Sequence, residues 1–313
     1  LSDIPHASLH NRFAVLLLFN ERVGRIFEFL SASGPPGSIS AAVRRVGHVI
    51  FPDVKGRLVS AIIERTWQPR SGTISVLLDN ARAFQSADSG ITSPLHSNCI
   101  FCQMFGALGP QRVRGRRFRE RLDDRERLFE ISFRGEEGLD WGGLYRESLM
   151  RCMEDVFSSH LTLVIPTPNA RVGAGPNQDK FLPNPAHSTP RALGMFQFLG
   201  RLLGLSMRQK LFLPAAFPPF VWKKMVGEPV GWADVVAVDE TWHERRGTKG
   251  VVRSVSGEEV ELVEGGKDVE VEEGVWEAMA KHFKLTEMDA QIDAIVRGFQ
   301  EVIPERAMRQ CSW

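Results

Sequence analysis

The segment Ala192–Lys210 is apolar almost all round, and this feature restricts the fold more than any other in the sequence. A helix without a broad polar face must be buried, so the segment predicts a central helix around which other elements pack. Gly200 and Gly204 lie one turn apart on it. Because an interior glycine costs about 1 kcal/mol relative to alanine, we expect the two to leave a flat surface for a closely packed partner. The residues expected to be almost fully buried are Leu199, Leu202 and Leu203.

Length and composition narrow the class of protein. The 313 residues correspond to one large domain or about two of ordinary size. With 43% hydrophobic and 25% charged residues, the composition excludes a disordered, collagen-like or disulfide-scaffold protein. The net charge is +1, which gives no overall attraction to nucleic acid or to an anionic membrane. The most apolar windows, 13–19 and 192–207, are shorter than the roughly 20 residues of a membrane span.

Apolar periodicity predicts a mainly helical chain with a few short strands. Alternating apolar and polar residues predict strands at Thr73–Leu78 and Phe129–Phe133, and an apolar run predicts another at Leu161–Ile165. Helical spacing predicts helices over 13–30, 39–50, 58–63, 145–157 and 192–210, with two more helices closing the chain.

The connection Pro166–Pro190 is rich in Pro, Asn and Gly. We expect it to be a long ordered loop or an excursion between subdomains, rather than a mobile tail. Val164 and Ile165 before it and Phe181 within it supply the apolar contacts that would hold it against the fold.

Two further predictions concern the C-terminal part. Val260–Val271 predicts a β-hairpin that turns at Gly265-Gly266. Thr286 and Asp289 are spaced like a capping box at the start of the last helix.

Residues 112–127 carry eight arginines and four acidic residues. The simplest interpretation is a solvated helix with interleaved opposite charges. The first half, 112–119, has five arginines and no acid, a composition also found in nuclear import signals and nucleic-acid contacts. No series of aromatic residues is interleaved for base stacking, so nucleic-acid binding is the weaker hypothesis. It would require a steep salt dependence of DNA or RNA affinity.

The four cysteines are too few and too unevenly spaced to cross-link the chain, which fits a reducing compartment. Cys99 and Cys102 form a single CxxC without the second ligand pair of a zinc site. Cys152 lies on the apolar stripe of a helix and is interpreted as a core residue. Cys311 lies near the end of the sequence without a histidine neighbour, so nothing marks it as activated.

Other short motifs do not assemble a site either. Gly173-Ala-Gly175 begins like a dinucleotide fingerprint, but Pro176 follows and no helix opens behind it. His243-Glu244 lacks the second histidine of a zinc protease helix, and no Gly-x-Ser-x-Gly elbow occurs. We therefore name no catalytic, cofactor-binding or metal-binding residue, and we expect no cofactor.

Seven segments together resemble the HECT domain of ubiquitin ligases. They lie between about Arg112 and Pro304, in the order and at broadly the spacings of that family. The segments are Phe129–Phe133, Gly135–Glu147, Asn184-Pro185, Phe196–Gly204, Leu213-Pro214 with Val221–Lys224, Glu261–Gly266 and Gly298–Pro304. Upstream, Arg12–Asn20 is similar to the helical region that precedes this domain in the large HERC-type members.

The resemblance implies an α+β, mainly α fold: a HECT N-terminal lobe with short strands and a β-hairpin, preceded by a helical extension. The implied domains are a helical lead-in at 1–111 and the N-terminal lobe at 112–313. The chain ends nine residues after Pro304. We therefore expect that the C-terminal lobe, which carries the catalytic cysteine in this family, is missing.

The implied function is transfer of ubiquitin to a substrate protein through a thioester on a cysteine outside this chain. The implied partners are a ubiquitin-conjugating enzyme, ubiquitin and the substrate protein, and neither a membrane nor nucleic acid is expected as a partner. The chain alone is expected to be inactive. The implied compartment is the cytoplasm, with the nucleus as a second candidate. The alternative hypothesis is a non-catalytic interaction scaffold derived from a HECT ligase.

One departure from the family affects partner docking. Only 18 residues, 243–260, separate Trp242 from Glu261, and the family has a longer segment at this point. By the resemblance, the shortened part belongs to the small subdomain that docks the conjugating enzyme. Whether this chain still docks such an enzyme is therefore left open, and no docking residue is named.

Overall fold

The computed structural model describes residues 5–26, 29, 35–88, 98–121, 127–135, 143–158, 161–240, 242 and 249–311. These residues form two compact units. The first runs to Trp67 and resumes at Ile303, and the second spans Gln68–Val302. The chain is mainly helical with a few short strands, as the sequence predicts.

The helices, in chain order, are α1 (His6–Ile26), α2 (Ile39–Arg45), α3 (Pro52–Glu64), α4 (Asn80–Asp88), α5 (Ile100–Leu108), α6 (Gly143–Val156), α7 (Pro168–Val172), α8 (Pro190–Gln209), α9 (Pro219–Val226), α10 (Trp232–Val236), α11 (Glu273–Thr286), α12 (Asp289–Val302) and α13 (Glu305–Cys311). The strands are β1 (Ile74–Leu78), β2 (Phe129–Phe133), β3 (Val164–Pro166), β4 (Phe181–Pro183), β5 (Val251–Arg253) and β6 (Glu259–Glu261). Short 3₁₀ turns lie at Gly47–Val49 and Gly115–Arg119.

The first unit is built from α1, α2, α3 and α13 around a small apolar core. Its core residues are Val23, Val43, Ile50 and Val54. The buried Asn20 of α1 connects this core to the chain before α3, since its amide donates to the Val49 carbonyl at 3.0 Å and its oxygen accepts from the Phe51 N–H at 2.6 Å. These bonds give the Val49 carbonyl and the Phe51 N–H hydrogen-bond partners beside the core.

The central helix predicted from the sequence is α8, and its predicted burial is confirmed. Leu199 and Leu202 are 0% exposed and Leu203 is 5% exposed. The close partner is α12: a Cβ on Gly200 would overlap the Ile295 carbonyl oxygen. From the other side, a Cβ on Gly298 would overlap a backbone carbonyl oxygen of α8. The two helices therefore touch backbone to backbone, which only glycine allows at these positions.

A buried charge also joins α8 to α12. Arg201 is 2% exposed, and its Nε donates to Oε2 of Glu301 at 2.7 Å. Its Nη1 donates to the Val113 carbonyl at 2.8 Å. A buried guanidinium is tolerated because its donors have partners and its charge is paired.

The strands predicted at 73–78 and 129–133 are confirmed as β1 and β2. They pair in parallel, with Ile74 opposite Phe129 and Leu78 opposite Phe133. Parallel pairing requires a crossover, and the intervening chain supplies it with α4 and α5. The buried face of the pair packs on α6, where the Phe129 and Tyr145 rings are 4.6 Å apart.

Residues 166–190 contain more regular structure than the loop that the sequence predicts. β3 pairs antiparallel with β4, and α7 lies between them. Asn169, 2% exposed, holds this segment in place. Its Nδ2 donates to the Pro176 carbonyl at 2.9 Å, and its Oδ1 accepts from the Glu240 N–H at 2.7 Å. The Phe157 and Phe181 rings, with centroids 5.6 Å apart, pack β4 against the residue that follows α6.

Replacing Asn169 with alanine should expose this segment to protease. The substitution removes the hydrogen bonds that the Asn169 side chain makes to the backbone of Pro176, Ala237 and Glu240, at a cost of about 1–3 kcal/mol. Trypsin cleavage after Arg171 and Lys180 should become at least about fivefold faster, because the locally opened state is more populated. The control is Gln178→Ala, since the one bond of this exposed side chain to the described residues is to the neighbouring Gly175 carbonyl. Equal cleavage rates in the two variants would refute the role of Asn169.

The β-hairpin predicted at 260–271 is wrong in its position. The hairpin is formed by β5 and β6, which pair antiparallel, and the chain turns between them. Gly257, with φ of +94°, supplies the left-handed residue that this tight turn requires. Gly265-Gly266 makes a separate turn after β6, and a Cβ on Gly266 would overlap the Gly250 carbonyl.

The capping box predicted from Thr286 and Asp289 is also wrong. Thr286 is the last residue of α11, and its hydroxyl donates back to the His282 carbonyl at 2.9 Å. Such back-bonding within a helix competes with capping the next one. A third helix, α13, then follows α12, and Cys311 is its last residue.

Candidate functional site

Three tryptophans hold together a small subdomain of the second unit. This tryptophan subdomain comprises α10, Trp242, the β5–β6 hairpin and α11. The Trp242 and Trp276 rings are stacked with centroids 6.2 Å apart, and Trp232 meets Trp242 edge-on at 4.3 Å. The Trp276 indole N–H donates to the Val251 carbonyl at 2.8 Å. The rings therefore join both helices to the hairpin, with the buried indole donor satisfied.

A buried ion pair lies beside these rings. Nζ of Lys284, a residue 3% exposed, is 2.9 Å from Oδ2 of Asp239 and 3.8 Å from Oε1 of Glu287. Oε2 of Glu287 accepts from the Ser254 hydroxyl at 2.8 Å and from the Val255 N–H at 3.0 Å. Burial raises the pKa of Glu287, and the Lys284 charge opposes that rise. Lys284 thus compensates two buried carboxylates that would otherwise be costly.

The remaining space in this subdomain is small. A cavity of about 140 Å³ lies between the hairpin, Trp276 and Lys284. Small-molecule sites usually occupy 300 Å³ or more, roughly, so this cavity is too small for most substrates. The outer surface exposes Val269 and Val275, which are 45% and 47% exposed. The geometry therefore suits contact with another macromolecule better than enclosed chemistry.

Sequence reasoning did not identify these residues. Trp232, Trp242 and Trp276 are three of the seven tryptophans and lie within 45 residues. This clustering in sequence was the feature from which a shared aromatic core could have been predicted. The pairing of Lys284 with Asp239 had no local signal, because 45 residues separate them in sequence.

The cysteines are not arranged as activated nucleophiles where the structure describes their side chains. Cys152 is 0% exposed, as predicted, and burial raises the pKa of its thiol. Cys102 is buried, and Cys99 is partly buried and hydrogen-bonds to Asp155. An activated thiol needs exposure and a lowered pKa, which is the reverse of the Cys152 environment. The side chain of Cys311 lies outside the described part.

In its described part, the arginine run is not the solvated helix that was predicted. Its described residues form a turn and then the 3₁₀ segment Gly115–Arg119, whereas 122–126 lie outside the described residues. Phe118 is 1% exposed and fixes the segment to the core. Arg119 donates from Nε to the Glu301 carbonyl at 2.7 Å. Part of the basic run therefore has a structural role.

Among the residues that the structure describes, no group of three or more His, Cys, Asp or Glu side chains is arranged to hold a metal ion. Among the same residues, no helix has the length and apolar character needed to cross a membrane.

Residues 150–313 match the family model described as HECT-domain (ubiquitin-transferase). The chain is similar to E3 ubiquitin-protein ligase HERC2 of Homo sapiens, with 29% identity over 337 aligned positions that cover 97% of this chain and 7% of that protein. The Mus musculus HERC2 is 30% identical over 195 residues, 57% of this chain and 4% of that protein.

A fungal relative shows the same pattern. E3 ubiquitin-protein ligase TOM1-like of Neurospora crassa is 26% identical over 312 residues, which cover 89% of this chain and 7% of that protein. The chain thus spans less than a tenth of the length of these relatives. Since the family model covers more than half of the chain, this protein belongs to the HECT-domain (ubiquitin-transferase) family.

Proposed function

We propose that this chain acts in ubiquitin transfer, as the part of a HECT ubiquitin ligase that docks the ubiquitin-conjugating enzyme. In this proposal, the lobe that follows the lead-in begins near Arg112, and ubiquitin is carried as a thioester on a cysteine outside these 313 residues. The partners are a conjugating enzyme, ubiquitin and a substrate protein.

The observation that carries the proposal is the closed core of the tryptophan subdomain. By the resemblance, the segment 243–260 is shorter than in the family. The described part of the subdomain nevertheless has stacked rings, a paired hairpin and a compensated buried lysine. A subdomain that had lost its role would have no need to keep a costly buried ion pair. Its exposed valines offer the apolar contacts typical of a protein interface.

Binding of conjugating enzymes tests the proposal directly. A panel of purified ubiquitin-conjugating enzymes is titrated into the 313-residue chain, with binding followed by microscale thermophoresis. At least one enzyme should bind, and Val269→Glu with Val275→Glu should weaken its binding at least about tenfold, because two charges enter an apolar contact. The matched control is Val172→Glu, a valine 50% exposed on α7 outside the subdomain. Failure of every enzyme to bind would refute the docking role.

A separate prediction concerns covalent chemistry. The 313-residue chain, mixed with ubiquitin-charged conjugating enzyme, should form no thiol-sensitive ubiquitin adduct. Cys152 and Cys102 are buried, and positioning is much of what an acyl-transfer site supplies. The products are separated on non-reducing and reducing gels. A reducible adduct that disappears in Cys311→Ala would overturn this prediction and make the chain itself a transferase.

The non-catalytic scaffold remains the competing proposal. It predicts binding of a partner without transfer, even when the 313 residues are joined to a HECT C-terminal lobe bearing its cysteine. Transfer of ubiquitin by such a fusion would favour the ligase, and a fusion that binds charged enzyme but transfers nothing would favour the scaffold.

A further inference from the structure

Free and fixed residues alternate along the start of the arginine run. Arg112, Arg114 and Arg116 are exposed, and within the described part of the chain their side chains make no hydrogen bond or ion pair. We call these three residues the arginine edge. Exposed long side chains have many accessible rotamers, and ordering them costs conformational entropy. They can form a binding site more easily where the backbone that carries them is already held in place.

The residues between the three arginines are held in place. The Val113 carbonyl accepts from the buried Arg201, and Gly115 lies so close to Glu301 that a Cβ would be 2.6 Å from the Glu301 Cβ. Arg117 donates from Nη2 to the Gly72 carbonyl at 2.6 Å. These contacts fix the backbone of the arginine edge on the second unit, so less conformational entropy remains to be lost on binding.

The carboxylates that the structure describes near this edge are paired with other arginines. Glu120 is 4% exposed and pairs with Arg117 at 3.1 Å. Glu301 pairs with the buried Arg201. Among the described residues around the edge, both carboxylates are thus compensated by fixed arginines. The charges of Arg112, Arg114 and Arg116 remain available to a partner.

We propose that the arginine edge docks an acidic segment of a partner protein. Guanidinium groups bind carboxylates through two parallel hydrogen bonds, and three such groups within five residues match a short run of Asp or Glu. This recruitment does not depend on the proposed docking of a conjugating enzyme, because the arginine edge shares no residue with the tryptophan subdomain.

A single-stranded nucleic acid fits the edge less well. Proteins that bind single strands stack the bases on exposed aromatic rings. Phe118, the aromatic residue of this run, is 1% exposed, and its ring lies 5.3 Å from the Arg201 guanidinium inside the core. Acidic peptide is therefore the occupant that the geometry favours.

Fluorescence anisotropy tests this inference on the 313-residue chain. The probe is a fluorescein-labelled twelve-residue peptide of alternating Glu and Ser, with a Gln-Ser peptide and a twelve-nucleotide oligo-dT as comparisons. The Glu-Ser peptide should bind most tightly at low salt. The triple variant Arg112→Gln, Arg114→Gln, Arg116→Gln should weaken its binding about tenfold, since each exposed charge pair contributes a factor of up to about five.

The control variant removes the same charge elsewhere. Arg57→Gln, Arg146→Gln, Arg297→Gln replaces three exposed arginines on α3, α6 and α12, and it should change the affinity less than about twofold. Circular dichroism checks that both variants keep their helix content. Equal losses in the two triple variants, no binding of the Glu-Ser peptide, or tighter binding of oligo-dT would each overturn the inference.

Discussion

Replacing Gly298 with alanine should destabilise the second unit by more than about 3 kcal/mol. Overpacking a core usually costs about 1–3 kcal/mol because side chains can move aside. Here the new Cβ would overlap the Gln197 carbonyl oxygen and lie 3.1 Å from the Arg201 backbone nitrogen. Backbone atoms inside a helix cannot rotate away, so α8 and α12 must separate. The melting temperature should fall by at least about 6 °C.

The same chemical change at an open site provides the control. Gly106 lies inside α5, and a Cβ there would have no neighbour within 4 Å. Gly106→Ala should therefore stabilise the protein by about 0.5–1 kcal/mol, because alanine has the higher helix propensity. Urea unfolding followed by tryptophan fluorescence compares the two variants. The close contact of α8 and α12 would be disproved if Gly298→Ala unfolded at the same urea concentration as Gly106→Ala.

Replacing Lys284 with methionine should cost about 3–5 kcal/mol at neutral pH, because it leaves Asp239 and Glu287 buried without a compensating charge. The pH dependence has a definite sign. The folded-state pKa of Glu287 is already raised by burial, and loss of the lysine charge raises it further. A carboxyl group whose pKa is raised in the folded state stabilises the fold at pH values below its unfolded-state pKa of about 4.3. This stabilisation is lost as the pH rises through the folded-state pKa. The deficit of the variant should therefore be smaller at pH 5 than at pH 8.

A double-mutant cycle separates the buried pair from general packing. Lys284→Met with Asp239→Leu should recover about half of the loss, because it removes one of the two carboxylates that Lys284 compensates and leaves Glu287 in place. The control is Lys281→Met on the same helix. Lys281 forms an ion pair with Glu277 in which both side chains are more than a third exposed, so the loss should be about 1 kcal/mol or less. Equal losses at Lys281 and Lys284, measured by urea unfolding, would contradict the role of the buried pair.

Several elements could be predicted from the sequence because their signal is local. The uniform apolarity of α8 and the alternation in β1 and β2 depend on residues within one element, and the structure confirms them. Cys152 was placed in the core for the same reason, since its stripe repeats with the period of a helix. The position of the hairpin was predicted wrongly because two places in the sequence could each form its turn. Gly265-Gly266 and Gly257 each permit a tight turn, and the pairing of β5 with β6 selected Gly257.

The sequence by itself determined the class of fold, the central helix and the glycines that required a close neighbour. It also carried the seven segments on which the resemblance to HECT domains rested. Only the tertiary structure decided which elements meet: α12 against Gly200, Lys284 beside Asp239, and Trp232, Trp242 and Trp276 in one core. The physical reason is that periodicity reports which side of an element is buried, whereas the choice of partner depends on contacts between residues that are distant in sequence. The arginine run illustrates this contrast between composition and tertiary contacts. Its composition showed its charge, but only the contacts of Val113, Gly115 and Arg117 distinguished its fixed arginines from its free ones.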